Sequence, residues 1–561
     1  MGILQFESVN CKDCCKCIGV CPVKAIEVKN HRAMVVERDC ILCGNCTVVC
    51  PQNTKHDVND VAGIRALIHD GRKVVASVAP SYAAYFNGCG LPALRAALQK
   101  LGFADVRETA EGAYLVKSEY ETLLREKRMS TVISSCCATV NAYVQKHCPE
   151  AIPLLAPVLT PMQAHARLIH AEDPEAVLVF IGPCISKKAE CLEDASDLAY
   201  AVTFGDLAEW MRDVNVDLEP APASERRLSR FFPVAGGILK TMEKSPDYSY
   251  IAVDGPENCM RALHDAAAGK FPNCFIEMNF CTGSCVGGPA FRKRELSLAA
   301  STLRVARDAV ESDAAEQGAP DYGFGKPGDL AAAFRDEQTC YTMPTEKQIV
   351  SIFKKMGKES PADELNCGMC GYSSCREKAI AIYQGKAEIS MCLPYLKERA
   401  ESFTGNIVNN SPNGFILLNE KLEIQQINRA ALQMMNLSSP SDVTGEPVVR
   451  VLDPGDFFTV LESGQSIEKK RIYLSEYDRY AEETIIPDHE FHQIICILRD
   501  VTEEERVRRQ KEELSRQTAE IADGVVAKQM RIVQEIASLL GETAAETKIA
   551  LYKLKGSVSD E

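Results

Sequence analysis

The sequence predicts a multidomain α/β protein, and three observations carry that reading. Its 25 cysteines gather in clusters separated by long cysteine-poor stretches. From Val61 to about Leu303, short apolar runs alternate with amphipathic stretches, the pattern of parallel strands joined by helices. Beyond Ser402 the clusters stop, and alternating strands give way to a long Pro-free tail.

Composition narrows the function classes. The chain has 561 residues, 46% hydrophobic and 25% charged, enough for several domains of a globular protein. A net charge of −15 argues against a nucleic-acid surface. No apolar run approaches the ~18 residues of a membrane span. The start MGILQFESVN reads neither as a signal peptide nor, with Phe6 at the sixth position, as a myristoylation site. So many cysteines, in C-x-x-C runs and without an export signal, point to metal rather than disulfides and to an anaerobic cytoplasm.

The first element, residues 1–60, carries the pattern C-x2-C-x2-C-x3-C-P twice, from Cys11 to Pro22 and from Cys40 to Pro51. In such runs the fourth cysteine serves the other cluster. Cys11, Cys14, Cys17 and Cys50 are thus expected to hold one cubane, and Cys40, Cys43, Cys46 and Cys21 a second. Cys15 is extra. The doubled run resembles the two-cluster bacterial ferredoxin. A zinc site, the alternative, would not need an interleaved repeat.

The second element, residues 61–345, has strand-like runs VVASVA, TVISS, VLVFIG and YIAVDG, and a helix-like LPALRAALQKLG with a glycine stop. Cys137 and Cys184 follow strand-like runs, where sites are built on rigid scaffolds. Cys281 and Cys285 lie four apart, with Gly287 and Gly288 after them. Four thiolates so placed suit one cluster, with Lys187 close by. SSCCATV, GPCISKKAE and EMNFCTGSCVGGP resemble, in order and spacing, the three signature motifs of the catalytic domain of [FeFe] hydrogenases. Ala79-Pro80-Ser81 and FFPVAGGIL add to the resemblance. It implies that Cys137, Cys184, Cys281 and Cys285 hold a cubane, with Cys285 bridging to a diiron unit that carries CO and cyanide. It also implies that Ala79, Pro80 and Lys187 face that unit, that Lys187 binds a cyanide, and that Cys136 passes protons with Glu190 in the relay.

The sequence departs from that family at several points. Ala138-Thr139-Val140 replaces Pro-x-Trp. The two methionines that pack on the diiron unit fall at Gly182 and Asn279. Only Gly287-Gly288-Pro289 remain of a longer glycine run. The relay glutamates align with Tyr120 and Leu123, and Thr160 stands where the relay has Ser. Losing two carboxyls from a proton path is expected to slow turnover. Altered packing shifts the potential of a cluster.

Residues 311–329, rich in Gly, Pro and acid, read as a linker. Residues 346–400 form a third element, with Cys367, Cys370, Cys375 and Cys392. It resembles a small four-cysteine iron–sulfur module found beside redox and corrinoid proteins, which implies another [4Fe-4S] cluster. The alternative is a zinc-bound helical hairpin. Residues 401–502 resemble a PAS sensor domain of α+β type: a hairpin around Asn419-Glu420, Asn428 after the second strand, and Asp500-Val501-Thr502 after the last. His489 and His492 raise a haem alternative, though ordinary polar positions are the commoner reading. In the tail, 503–561, Leu514, Ile521, Val525, Ile532, Ile536 and Leu540 recur at steps of 7, 4, 7, 4 and 4. That stripe suits a coiled coil, a partner groove or packing on the PAS domain, with Gly524 and Gly541 weakening the helix.

The expectation is an iron–sulfur redox protein that senses H2 or redox state and signals through its PAS domain and tail. It exchanges electrons with a partner such as ferredoxin, takes H2 or protons as small ligands, and meets a signalling partner or a second copy through the tail. One alternative is a ferredoxin-linked hydrogenase; the other is an electron-transfer scaffold without the diiron unit. No kinase, phosphatase or DNA-binding motif supplies an output. Cys15, Cys89, Cys148, Cys191, Cys259, Cys274, Cys340 and Cys496 receive no role.

Overall fold

A computed structural model describes every residue except 1, 8–9, 88, 193–196, 220–227, 310–328 and 558–561. Most of the expected linker thus lies outside the described residues. The chain divides into two compact units, Met1–Leu396 and Lys397–Glu561.

The first unit opens with two small antiparallel ladders, Leu4–Phe6 with Lys55–Asp57 and Ile26–Lys29 with Arg32–Val35. Two five-residue helices, Lys16–Val20 and Asn45–Val49, sit between them in corresponding places of the sequence repeat. Each is entered through a left-handed residue, Cys15 at φ 56° and Gly44 at φ 72°. Cys15 therefore fills a turn position that the second repeat gives to glycine, which is why the first run has a fifth cysteine.

The α/β part of this unit holds two parallel sheets. One has the order Asp105–Glu108, Val74–Val78, Val177–Gly182, Leu198–Thr203; the other Ser249–Asp254, Cys274–Asn279, Thr131–Ile133. Val74–Val78 is buried along its length, as a strand covered on both faces must be. Parallel strands share one C-terminal edge. Ser134 to Cys137, Pro183-Cys184 and Phe280-Cys281 all leave the sheets from such ends. The helix Leu91–Lys100 forms as its apolar spacing and glycine stop predict.

After the α/β part come the helices Glu346–Lys355 and Cys375–Tyr383, which pack together around the third cysteine set. Ser374 caps the second of them, its side chain accepting from the Glu377 amide.

The second unit contains a five-stranded antiparallel sheet in the order Ile424–Ile427, Gly414–Asn419, Gln493–Asp500, Arg479–Asp488, Ile467–Leu474. Asn428 closes the first hairpin with all its polar atoms. Its Oδ1 accepts from the Phe415 and Ala431 amides at 2.8 and 2.9 Å, and its Nδ2 donates to the Asn413 and Val408 carbonyls. His489 and His492 are exposed in the turn between the last two strands, not on a strand, so neither faces a core pocket that could hold haem. Thr502–Ser557 is one continuous helix. Gly524 and Gly541 do not interrupt it.

Candidate metal centres and active site

The four cysteines of the signature motifs line one cavity, with Leu42 and Cys43 of the N-terminal repeat. Local chemistry places each. Ser134 is locked by its amide to the Ile276 carbonyl and by its hydroxyl, which accepts from the Met278 amide at 3.0 Å. Ser135 donates to the Val158 carbonyl at 2.7 Å. Cys137 then caps the helix Ala138–His147. The Cys184 sulfur lies 3.1 Å from Ser186 Oγ, to which Thr139 donates at 2.9 Å. Cys281 precedes a one-turn 3-10 helix, Ser284–Gly287, and Cys285 lies within it. A Cβ on Gly287 would lie 1.8 Å from the Thr282 carbonyl, so the turn admits only glycine there.

Burial pushes the thiols of Cys137, Cys281 and Cys285 up, and each is pushed further by the neighbouring cysteines. Thiolates crowded in a dry pocket are costly alone and are the natural ligands of a cationic cluster, which reverses that cost.

A second, larger cavity adjoins the first and shares Cys137, Cys184, Asn279 and Cys285 with it. Ala79, Pro80, Cys136, Lys187 and Phe232 line its other sides. Ser81 lines it too, and its buried hydroxyl has no partner among the described residues. An unmatched buried donor aimed into a cavity fits a ligand with acceptor atoms, such as the cyanides of a diiron unit. Lys187 Nζ donates to both Glu190 oxygens at 2.9 and 3.0 Å, and Thr160 donates to Glu190 at 2.8 Å. Burial works against the Lys187 charge, but Glu190 and the nearby thiolates hold its pKa above the usual lysine range. Burial pushes the Cys136 thiol up to about 12, against a lowering hydrogen bond from Tyr120.

A Cβ on Gly182 would fall 2.5 Å from the Phe180 ring, which itself lines the larger cavity. Asn279 donates to Glu277 at 3.2 Å, and Glu277 accepts from the Leu239 amide at 3.0 Å. Burial raises the Glu277 carboxyl to about 7.

Three further cysteine sets form in the same unit. Cys11, Cys14, Cys17 and Cys50 line one cavity, with Cys15 at its wall. Cys21, Cys40, Cys43 and Cys46 influence one another's ionisation, and burial pushes Cys40 to about 11 and Cys46 to about 12. Cys367, Cys370, Cys375 and Cys392 line another. The sets adjoin. Cys43 borders the signature-motif cavity, and the thiols of Cys43 and Cys281 interact. Gly371 packs against Cys15, Ile18 and Gly19, and Lys24 donates to its carbonyl at 2.9 Å.

Sequence reading named Ser81 only within a stretch and gave Tyr372 and Lys378 no role; both of the latter line the third cavity. No spacing marks them. Among the cysteines left without a role, Cys148, Cys259, Cys274 and Cys496 are buried and Cys340 is exposed.

Comparison with known proteins matches these parts to families. Residues 72–289 match the model of the iron only hydrogenase large subunit, C-terminal domain. Residues 363–394 match an Fe-S cluster model, and residues 403–501 match the PAS fold. The central domain is thus similar to the catalytic part of [FeFe] hydrogenases. The periplasmic [Fe] hydrogenase large subunit of Nitratidesulfovibrio vulgaris is 27% identical over 365 residues, 51% of this chain and 86% of that protein. The NADP-reducing hydrogenase subunit HndD of Solidesulfovibrio fructosivorans is 21% identical over 362 residues, 50% of this chain and 61% of that protein. A structure of a HydA1 [FeFe]-hydrogenase variant from Chlamydomonas reinhardtii gives a TM-score of 0.39 at 18% identity, covering 50% of this chain and 100% of that one. Among the described residues no helix is long and apolar enough to cross a membrane.

Proposed function

We propose that the protein is a cytoplasmic redox sensor of the [FeFe] hydrogenase family, reporting H2 or redox state to its PAS domain and C-terminal helix. The observation that carries this reading is a set of four adjoining cysteine sites in one chain with a PAS fold and a 56-residue helix. A dedicated enzyme has no need of the second unit.

In this reading the first two sets, Cys11, Cys14, Cys17, Cys50 and Cys21, Cys40, Cys43, Cys46, hold the ferredoxin-type cubanes, and Cys367, Cys370, Cys375, Cys392 a third. Cys137, Cys184, Cys281 and Cys285 would hold the fourth, and Cys285, which lines both cavities, would also serve a diiron unit in the larger one. That unit, when bound, supplies the site at which H2 is split or formed. The chain's own part is to seat it against Ala79, Pro80 and Ser81, to fix a cyanide with Lys187, and to keep Lys187 charged through Glu190. Cys136 holds the proton next to the site. Burial raises the Tyr120 hydroxyl well above the ordinary tyrosine value, so a neutral phenol and not a carboxylate stands beside Cys136.

A second reading, a hydrogenase exchanging electrons with ferredoxin, is favoured by the names of the two relatives and by the presence of Cys136 and Lys187. Infrared spectroscopy of the matured protein tests for the diiron unit through its CO and cyanide bands. Anaerobic H2 titration then separates the readings. A sensor reduces its clusters under H2 with little turnover and changes its state of association. An enzyme turns over fast with no such change. A protein without the bands is a scaffold.

A further inference from the structure

The cavity of the four-cysteine module contains two polar groups left unmatched among the described residues. Lys378 is 1% exposed, and its Nζ is buried without a hydrogen-bond partner. Tyr372 is 2% exposed, and its hydroxyl is likewise without a partner. Both line the cavity with Cys367, Cys370, Cys375 and Cys392. Lys378 lies three residues after Cys375 on the helix Cys375–Tyr383, so the two share a face. The thiols that interact with its charge are those of Cys370, Cys392, Cys15 and Cys375. Lys358, also at this cavity, differs: its ammonium donates to the Asp363 carbonyl.

A buried ammonium with no partner is strongly unfavourable, and natural chains keep one only where a counter-charge belongs. Four thiolates around a cubane carry a net negative charge that grows by one on reduction. A cation and a hydroxyl donor beside it stabilise the reduced form more than the oxidised one.

We propose that Lys378, seconded by Tyr372, donates hydrogen bonds to the sulfurs of the cluster held by this module and raises its reduction potential, making the module the place where electrons from the N-terminal pair of clusters settle. The module is set for that role by its seat against Cys15 and Gly19 of the first repeat. The inference rests on the module holding a cubane, as the proposed function has it.

The test is a redox titration of the full-length, anaerobically reconstituted protein, followed by electron paramagnetic resonance. Cys375→Ser identifies the module's signal by its loss. Lys378→Met is expected to lower the reduced-to-oxidised ratio of that signal about tenfold at fixed poise, about 59 mV for one electron. Lys378→Arg restores most of the ratio, and Tyr372→Phe moves it in the same direction by a smaller factor. The other signals stay in place. An unmoved signal in Lys378→Met with full iron content overturns the inference and leaves the module reading intact. Loss of about four irons in both Lys378→Met and Lys378→Arg overturns it as well, because the lysine is then a folding requirement. If Cys375→Ser costs no iron, the module holds no cluster and both readings fall.

Discussion

The Tyr120 hydroxyl lies 3.2 Å from the Cys136 sulfur and 3.0 Å from Ser135 Oγ, and it accepts from the Ser135 amide at 2.9 Å. A phenol thus stands beside Cys136, where the resemblance read from the sequence implies a relay carboxylate in related proteins. Leu123, the second such position, is buried in an apolar cluster. Tyr120→Phe should leave any H2 turnover within about twofold while costing ~1–3 kcal/mol of stability, because the Ser135 amide loses its acceptor. Tyr120→Glu should raise turnover of the matured protein by tenfold or more, toward the ~10²–10⁴ of a positioned acid–base group. Turnover matching a dedicated hydrogenase in the unmodified chain would sink the idea that this helix limits proton supply.

Iron content follows from the four cysteine sets. Reconstitution should give about 16 irons per chain, and about 18 with a diiron unit. Cys375→Ser should remove about four. Cys15→Gly should remove none, since residue 15 takes a left-handed backbone that glycine adopts freely. A yield near eight would eliminate two of the sets, and loss of iron in Cys15→Gly would make Cys15 a ligand.

A buried ion pair ties the α/β part together away from the metal sites. The Arg230 guanidinium donates to both oxygens of Glu108 at 2.8 to 3.0 Å and to the Asp308 carbonyl at 3.0 Å, with Arg230 and Glu108 each under 4% exposed. Glu108→Gln leaves a buried guanidinium short of its counter-charge and should cost about 3–5 kcal/mol. Urea unfolding of the reconstituted protein reads this directly. A loss below ~1 kcal/mol would mean Asp308 takes over the pairing.

Glu483 makes the second unit sensitive to pH. It is buried on the strand Arg479–Asp488, facing Cys496 on one neighbour and the Lys470–Asp456 pair on the other side. Burial, and then Asp456, raises its carboxyl to about 7. A carboxyl with a raised folded-state pKa keeps its proton longer folded than unfolded. Stability is therefore highest below the ordinary carboxylate range and falls as pH rises from there to about 7, then levels. The fall should be about 3 kcal/mol. Unfolding of this unit followed from pH 5 to 8 should show it, and Glu483→Gln should flatten the profile. An unchanged slope in that variant would assign the dependence elsewhere.

What could be read from sequence was what repeats or alternates. The doubled cysteine run, the apolar strands Val74–Val78 and Val177–Gly182, and the hairpin around Asn419 all follow spacing rules. The strand Cys274–Asn279 was hidden because Glu277 and Asn279 interrupt its apolar run. Their polarity is absorbed by each other and by the Leu239 amide, a tertiary match that no local pattern reveals. Asp105–Glu108 is short and mostly charged, and it pairs only because the strand Val74–Val78 provides an edge. Ser81, Tyr372 and Lys378 are single residues, and what distinguishes them is an unmatched buried atom, visible only once the cavities exist. The two histidines show the converse. A spacing that admits a haem reading proves to be an exposed turn, where His492 pairs with Glu420 at 2.8 Å.

The last expectation concerns the tail. The Asp500-Val501-Thr502 segment is fastened to the sheet: the Val501 amide donates to the Tyr480 carbonyl at 2.9 Å, the Tyr480 amide donates to Thr502 Oγ1 at 3.0 Å, and Arg479 pairs with Asp500. Glu505, one turn into the helix, is buried and paired with Arg471 and Arg508. Movement of the sheet must therefore move the base of the helix. Farther along, Leu514, Ile521, Val525, Ile532, Ile536 and Leu540 are all exposed on a helix of 56 residues, about 84 Å at 1.5 Å per residue. Each such side chain gains ~1.5–3 kcal/mol on full burial. A second copy of the same stripe offers that burial along its whole length, so the protein should self-associate through residues 507–540. The redox state of the clusters should bias the pairing by ~1–3 kcal/mol, the usual size of coupling between sites. Cutting the chain after Thr502 should leave iron content and any H2 chemistry intact and abolish association, and Ile521→Asp with Ile532→Asp should do the same without shortening the helix. Light scattering in oxidised and reduced states measures this. Equal mass for full-length and truncated protein in both states would remove the tail from signalling and, with it, the main support for a sensor.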